Sequence, residues 1–81
     1  MDSRKLEIYF GKTVCSKRKE NKITQEQLAE LVGISTTYLR CVEHGKNSIS
    51  WKLWLRICVV LQIDVKELMD KILDDDDYMH L

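Results

Sequence analysis

With 81 residues, 44% of them apolar and 32% charged, three glycines and no proline, the chain suits one compact all-α domain and is too short for two. Thirteen basic residues offset thirteen acidic ones, but they are unevenly spread: residues 1–52 hold ten Lys or Arg against six Asp or Glu, and residues 53–81 hold three against seven. One half can face phosphates while the other avoids them.

The longest apolar stretch, Leu53 to Leu61, is broken by Arg56 and falls far short of the roughly 20 residues a bilayer span needs. Met1 to Phe10 lacks the apolar core and small-residue cleavage site of a secretory signal, so the expected location is the cytoplasm. Cys15, Cys41 and Cys58 form an odd, widely spaced set without a Cys-x-x-Cys pair, which argues against a disulfide framework or a zinc site and for reduced thiols.

Taken in chain order, residues from about Ser3 to Asn21 place Leu6, Phe10, Val14 and then Arg18 at four-residue steps, an amphipathic first helix. Lys12, Lys17, Lys19 and Lys22 lie on or just past its far face, where solvation explains them as well as phosphate does. Thr24 with Gln27 makes a capping box for a second helix, Gln25 to Val32. Gly33 can take the left-handed conformation at its end, Ile34 can plug the corner, and Ser35 is an N-cap for a third helix, Thr36 to His44, closed by Gly45.

After the polar loop Lys46-Asn47-Ser48-Ile49, Ser50 caps a fourth helix, Trp51 to Leu61, which is apolar nearly all round. A core this small cannot hide every one of those side chains, so part of the helix should meet another surface, first of all a second subunit. Trp51 and Trp54 fit the core better than a base-stacking platform. Asp64 and Glu67 open a fifth helix with Val65, Leu68, Met69 and Ile72 on one face. It should fade near Asp74, because Asp74 to Asp77 put four like charges at a helix C-terminus, leaving an acidic tail over about 74–81 that is loose from Tyr78 to Leu81.

Across the second and third helices, Leu28, Leu31, Ile34, Leu39 and Val42 supply a shared apolar seam, and Ala29 lets the helices cross closely. Thr36, Thr37, Arg40 and Cys41 then face outward. The blocks Thr24-Gln25-Glu26-Gln27-Leu28-Ala29-Glu30, Val32-Gly33-Ile34-Ser35, Glu43-His44-Gly45-Lys46 and Leu61 to Leu68, at their mutual spacing, resemble the helix-turn-helix family of the phage repressors, Cro and the Xre-like bacterial regulators. The resemblance extends from about Phe10 to Met69.

It implies that the third helix enters the major groove of double-stranded DNA while the second crosses the backbone. Thr36, Thr37, Arg40 and Cys41 then stand at or near base-reading positions, with a phosphate contact an equal alternative for Arg40. Gln25, Lys46 and Asn47 match backbone-contacting positions, and Tyr38 can add a hydroxyl. Arg18 and Glu43 fall where the family places a partly buried ion pair. The sequence departs from the family at Cys15, a commonly basic position, at Lys17, a usually apolar one, and in the absence of proline from Ser48-Ile49-Ser50.

The implied function is a sequence-specific transcriptional regulator, a repressor that binds a pseudo-palindromic operator as a homodimer, with Leu53, Leu55, Val59 and Ile72 as the expected dimer surface. Two alternatives stay open: an antitoxin-type or controller protein whose partner docks on the apolar surface, and a purely protein-binding helical module using the four aspartates. No cofactor, metal or enzyme is expected. Cys41 and His44 are three apart on one helix, but His80 stands alone and no second ligand pair exists.

Overall fold

The computed structural model describes residues 4–74, which form five helices and no strand: α1 (Arg4–Glu20), α2 (Gln25–Val32), α3 (Thr36–Glu43), α4 (Trp51–Leu61) and α5 (Val65–Asp74). The all-α expectation holds, and each boundary lies within a residue of its sequence-based position. The expected tail at residues 75–81, with most of the acidic run and His80, lies outside the described residues.

The starts of α2 to α5 are each built by the residue that the sequence marks for it. Thr24 Oγ1 accepts from Gln27 N at 3.0 Å while Gln27 Oε1 accepts from Thr24 N at 2.9 Å, so both halves of the capping box are made. Ser35 Oγ accepts from Tyr38 N at 3.0 Å, Ser50 Oγ from Leu53 N at 3.2 Å, and Asp64 Oδ1 from Lys66 N at 3.0 Å and Glu67 N at 3.3 Å. Such caps stabilise by about 1 kcal/mol each.

The first four helices close in the same way. At the end of α3, Gly45 N bonds to Val42 O and Lys46 N to Cys41 O, the paired bonds of a Schellman turn, with Gly45 at φ +69°. Gly33 does this for α2 at φ +78°. Lys22 and Gln62 do it for α1 and α4 at φ +58° and +54°, a conformation that costs a side chain about 1–2 kcal/mol. Arg56 Nη1 also donates to Val32 O at 2.9 Å, so a side chain of α4 satisfies a carbonyl that α2 leaves open.

The core joins all five helices. Phe10 and Val14 of α1, Leu28, Ala29 and Val32 of α2, Leu39 and Val42 of α3, Leu53, Ile57, Cys58 and Leu61 of α4, and Leu68 and Ile72 of α5 are buried together with Ile63. Phe10 stacks on Trp54 with ring centroids 3.9 Å apart and planes 11° from parallel, which fixes α4 against α1. Burial raises the Cys58 thiol above its ordinary pKa because the thiolate is poorly solvated there.

Four apolar expectations need correction. Leu31 is 59% exposed, because the buried stripe of α2 is Leu28, Ala29 and Val32, and at 3.6 residues per turn Leu31 falls to its side. Trp51 is 68% exposed and lies under the Lys52 ammonium, 5.8 Å from the ring centroid; Trp54 alone of the pair packs inward. Leu53 and Ile72, expected at a dimer surface, are buried in the chain's own core. Leu55 and Val59, also expected there, are exposed and four apart on the outer face of α4.

Gly11, whose role the sequence pattern did not disclose, sets how closely α1 lies on α3. A Cβ at this position would fall 2.4 Å from Val42 O and 2.7 Å from Glu43 O, both backbone atoms. Gly45 approaches Ile8 as closely, since its Cβ would lie 2.7 Å from Ile8 Cα.

Candidate nucleic-acid interface

The surface of interest is built on α2, α3 and the loop after α3. Leu39 and Val42 anchor α3 by one side, which leaves Thr37 and Arg40 exposed and Thr36, Tyr38 and Cys41 half-buried. Thr37, Arg40 and Cys41 lie on the outer face of this eight-residue helix, Thr36 at its edge, while Tyr38, expected to offer its hydroxyl to a phosphate, packs in part against the core. Lys46 is exposed and Asn47 half-buried in the following loop. The loop is tied to α1 by Ser48 Oγ, which donates to Glu7 Oε1 at 2.6 Å, and by the approach of Gly45 to Ile8. A loop fixed in this way loses less conformational freedom if its side chains bind a ligand.

Beneath the surface lies the ion pair expected from the resemblance. Arg18 Nε donates to Glu43 Oε2 at 2.7 Å and Arg18 Nη2 to Glu43 Oε1 at 3.2 Å, a two-pronged contact between residues each 8% exposed. Arg18 Nη1 also donates to Ile23 O at 3.0 Å, so one guanidinium ties α1 to both the turn before α2 and the end of α3. The bond to Glu43 raises the Arg18 pKa against the opposing effect of burial. Burial alone would raise the Glu43 carboxyl, but hydrogen bonds from Arg18 and then Gln25 outweigh it and hold the carboxyl below its ordinary range.

Gln25 is half-buried, not a free surface side chain. Its Nε2 donates to Glu43 Oε1 at 3.0 Å, and its Oε1 accepts from Arg40 Nε at 3.3 Å. Two expected DNA-facing residues from different helices are therefore in direct contact. Sequence spacing could not have shown this, because it depends on the crossing of α2 and α3.

Cys15, which stands at a commonly basic position of the family, lies beside this network: Arg18 Nη2 approaches its Sγ at 3.8 Å. Lys17 is half-buried and borders a cleft between α1 and α5 with Tyr9, Thr13, Glu67 and Lys71, away from α3. His44 turns Nδ1 to within 2.7 Å of Arg40 O, so that ring nitrogen is engaged with its own helix. Among the described residues, no group of three or more His, Cys, Asp or Glu side chains is placed to hold a metal ion, and no helix is long and apolar enough to cross a membrane.

Comparison with known proteins agrees with this geometry. A helix-turn-helix family model matches residues 16–68, spanning α2, α3 and α4 and reaching into α5. The chain is 34% identical over 68 residues to the ImmF control region 10 kDa protein of Bacillus phage phi105, covering 84% of this chain and 71% of that protein. Among solved structures, it is similar to the restriction-modification controller protein C.AhdI from Aeromonas hydrophila, with a TM-score of 0.75 and 29% identity over 84% of this chain and 99% of that one. The clp gene regulator ClgR from Corynebacterium glutamicum gives a TM-score of 0.74 and 28% identity over 79% of this chain and 68% of that one. The chain belongs to the Xre- and Cro-like helix-turn-helix family and is a DNA-binding, non-enzymatic regulator of transcription.

Proposed function

We propose that the protein is a sequence-specific repressor, resident in the cytoplasm, that binds a pseudo-palindromic operator as a homodimer. The carrying observation is the outer face of α3: Thr37 and Arg40 are exposed and Thr36 and Cys41 half-buried on a helix that Leu39, Val42 and Glu43 anchor from beneath. A threonine hydroxyl reads a base-edge donor or acceptor and its methyl meets a thymine methyl. Gln25, Tyr38, Lys46 and Asn47 surround this face with donors for backbone oxygens, which fix register without reading sequence.

Dimer formation is supported by Leu55 and Val59, the latter 75% exposed. A cleft lined by Ile49, Trp51, Trp54 and Leu55 continues this apolar surface. A two-fold contact uses such a patch twice and sets two α3 helices roughly 34 Å apart, in successive major grooves. Occlusion of a promoter then represses. The same patch also suits a partner protein, as in an antitoxin-type or controller protein, and supports that second reading.

Base reading and backbone holding separate in mutants. Thr37→Ala should weaken binding to the preferred duplex by about 1–3 kcal/mol and leave random duplex unaffected. Gln25→Ala should weaken both about equally. Titration of the two variants against both duplexes checks this, and unchanged binding in both would remove α3 from the groove.

A further inference from the structure

Gln25 lies between a group that only accepts and a group that only donates. The Glu43 carboxylate takes the Nε2 hydrogen at 3.0 Å, and the Gln25 carbonyl takes the Arg40 Nε hydrogen at 3.3 Å. The reverse amide orientation would set oxygen against carboxylate and NH2 against guanidinium, so the chemistry of the neighbours dictates the direction. Glu43 cannot swing away to pair with Arg40, because Arg18 holds it by two bonds of 2.7 and 3.2 Å.

The charges of Arg18 and Glu43 cancel in the interior. Arg40 is exposed and has no carboxylate partner among the described residues. Its Nε is engaged by Gln25, which draws the guanidinium toward the first turn of α2 and leaves the Nη1 and Nη2 hydrogens for a ligand. One hydrogen of Gln25 Nε2 is left as well. A planar fork with an adjacent amide N–H, carrying one uncompensated positive charge, suits a phosphodiester oxygen pair.

We infer that Gln25 and Arg40 form a single clamp on one backbone phosphate of the DNA, Gln25 orienting Arg40, so that Arg40 secures register and Thr36, Thr37 and Cys41 are left to read bases. The inference rests on the duplex docking proposed above and adds what that docking leaves open, the role of Arg40.

The test is a double-mutant cycle on the full chain, using a duplex that the wild-type protein selects from a random pool, titrated over a series of salt concentrations. Arg40→Ala is expected to weaken selected and random duplex alike by about tenfold per subunit and to reduce the slope of log K against log salt by about 0.9 per subunit, about 1.8 for a dimer. Gln25→Ala in the Arg40→Ala background should then cost little, a coupling of about threefold or more. Arg40→Lys should keep the salt slope yet lose affinity, because an ammonium cannot span Gln25 and a phosphate together. Thermal melts should stay close to wild type, since Arg40 is exposed.

Additive losses, an unchanged salt slope, or an Arg40→Ala protein that prefers a different base pair would overturn the clamp while leaving the docking intact. A wild-type chain that binds no duplex would overturn the docking, and the clamp with it.

Discussion

Gly11→Ala is expected to destabilise the protein by about 3 kcal/mol, against the sign that helix propensity alone gives. Gly11 sits inside α1, where alanine is favoured over glycine by about 1 kcal/mol. The added methyl, however, would meet Val42 O at 2.4 Å and Glu43 O at 2.7 Å. Both atoms are backbone at the end of α3, held by the Schellman turn and the Arg18 contact, so the helices must separate as units. Steric cost outweighs propensity. For a domain of this length, whose total stability is about 4–12 kcal/mol, the melting temperature should fall by more than about 10 °C. Thermal melts followed by circular dichroism check this; an alanine variant as stable as wild type would mean that α1 does not lie so close to α3.

The second large effect belongs to Glu43. Glu43→Ala leaves the Arg18 guanidinium buried without its counter-charge, and loss of one partner of a buried pair costs about 3–5 kcal/mol. Replacing both residues, Arg18→Met with Glu43→Leu, should recover most of that loss, since paired apolar groups of similar volume are often close to neutral. Urea unfolding of the three proteins measures the difference.

The pair also makes a stated contribution to pH dependence. Hydrogen bonds from Arg18 and Gln25, opposed by burial, hold the Glu43 carboxyl below its ordinary value, so in the native protein it binds protons less readily than in the unfolded chain. Its contribution is complete above the unfolded value of about 4.3 and is lost as pH falls through the lower native value. Stability should therefore decline on acidification in that window. Glu43→Gln should flatten this part of the profile.

Much of the fold was legible because its determinants are local. Thr24 with Gln27, Ser35, Ser50 and Asp64 cap helices through atoms two or three residues away, and Gly33 and Gly45 end helices through their own φ angles. No tertiary information is needed for either. The non-glycine stops at Lys22 and Gln62 carry no such mark, because the packed chain imposes a conformation that neither residue prefers.

The errors share one cause, which is that periodicity gives the direction of an apolar face but not its width. In α4, apolar nearly all round, only the placement of α1, α2 and α5 decides that Leu53 is core while Leu55 and Val59 are surface. The same ambiguity misplaced Trp51, Leu31 and Ile72. Gly11 offered one signal, a glycine inside an otherwise helical pattern, which often marks a close packing contact.

The candidate interface divides the same way. The positions of Thr36, Thr37, Arg40 and Cys41 on an outward face follow from helical geometry once the family resemblance sets the register. The link from Arg18 through Glu43 and Gln25 to Arg40 spans three helices, and its last step depends on how α2 crosses α3. It turns three separate expectations, the Arg18–Glu43 pair, Gln25 and Arg40, into one hydrogen-bonded unit, in which an interior ion pair supports the surface proposed to meet DNA.

The most direct measurement of the central claim is selection of bound sequences from a random duplex pool by the wild-type protein, with affinity for the enriched duplex then followed against salt. Two half-sites related by two-fold symmetry should emerge with centres about 10 base pairs apart, and affinity for them should fall steeply as salt rises. Failure to enrich any motif, or an affinity insensitive to salt, would contradict a protein that presents two copies of α3 to an operator.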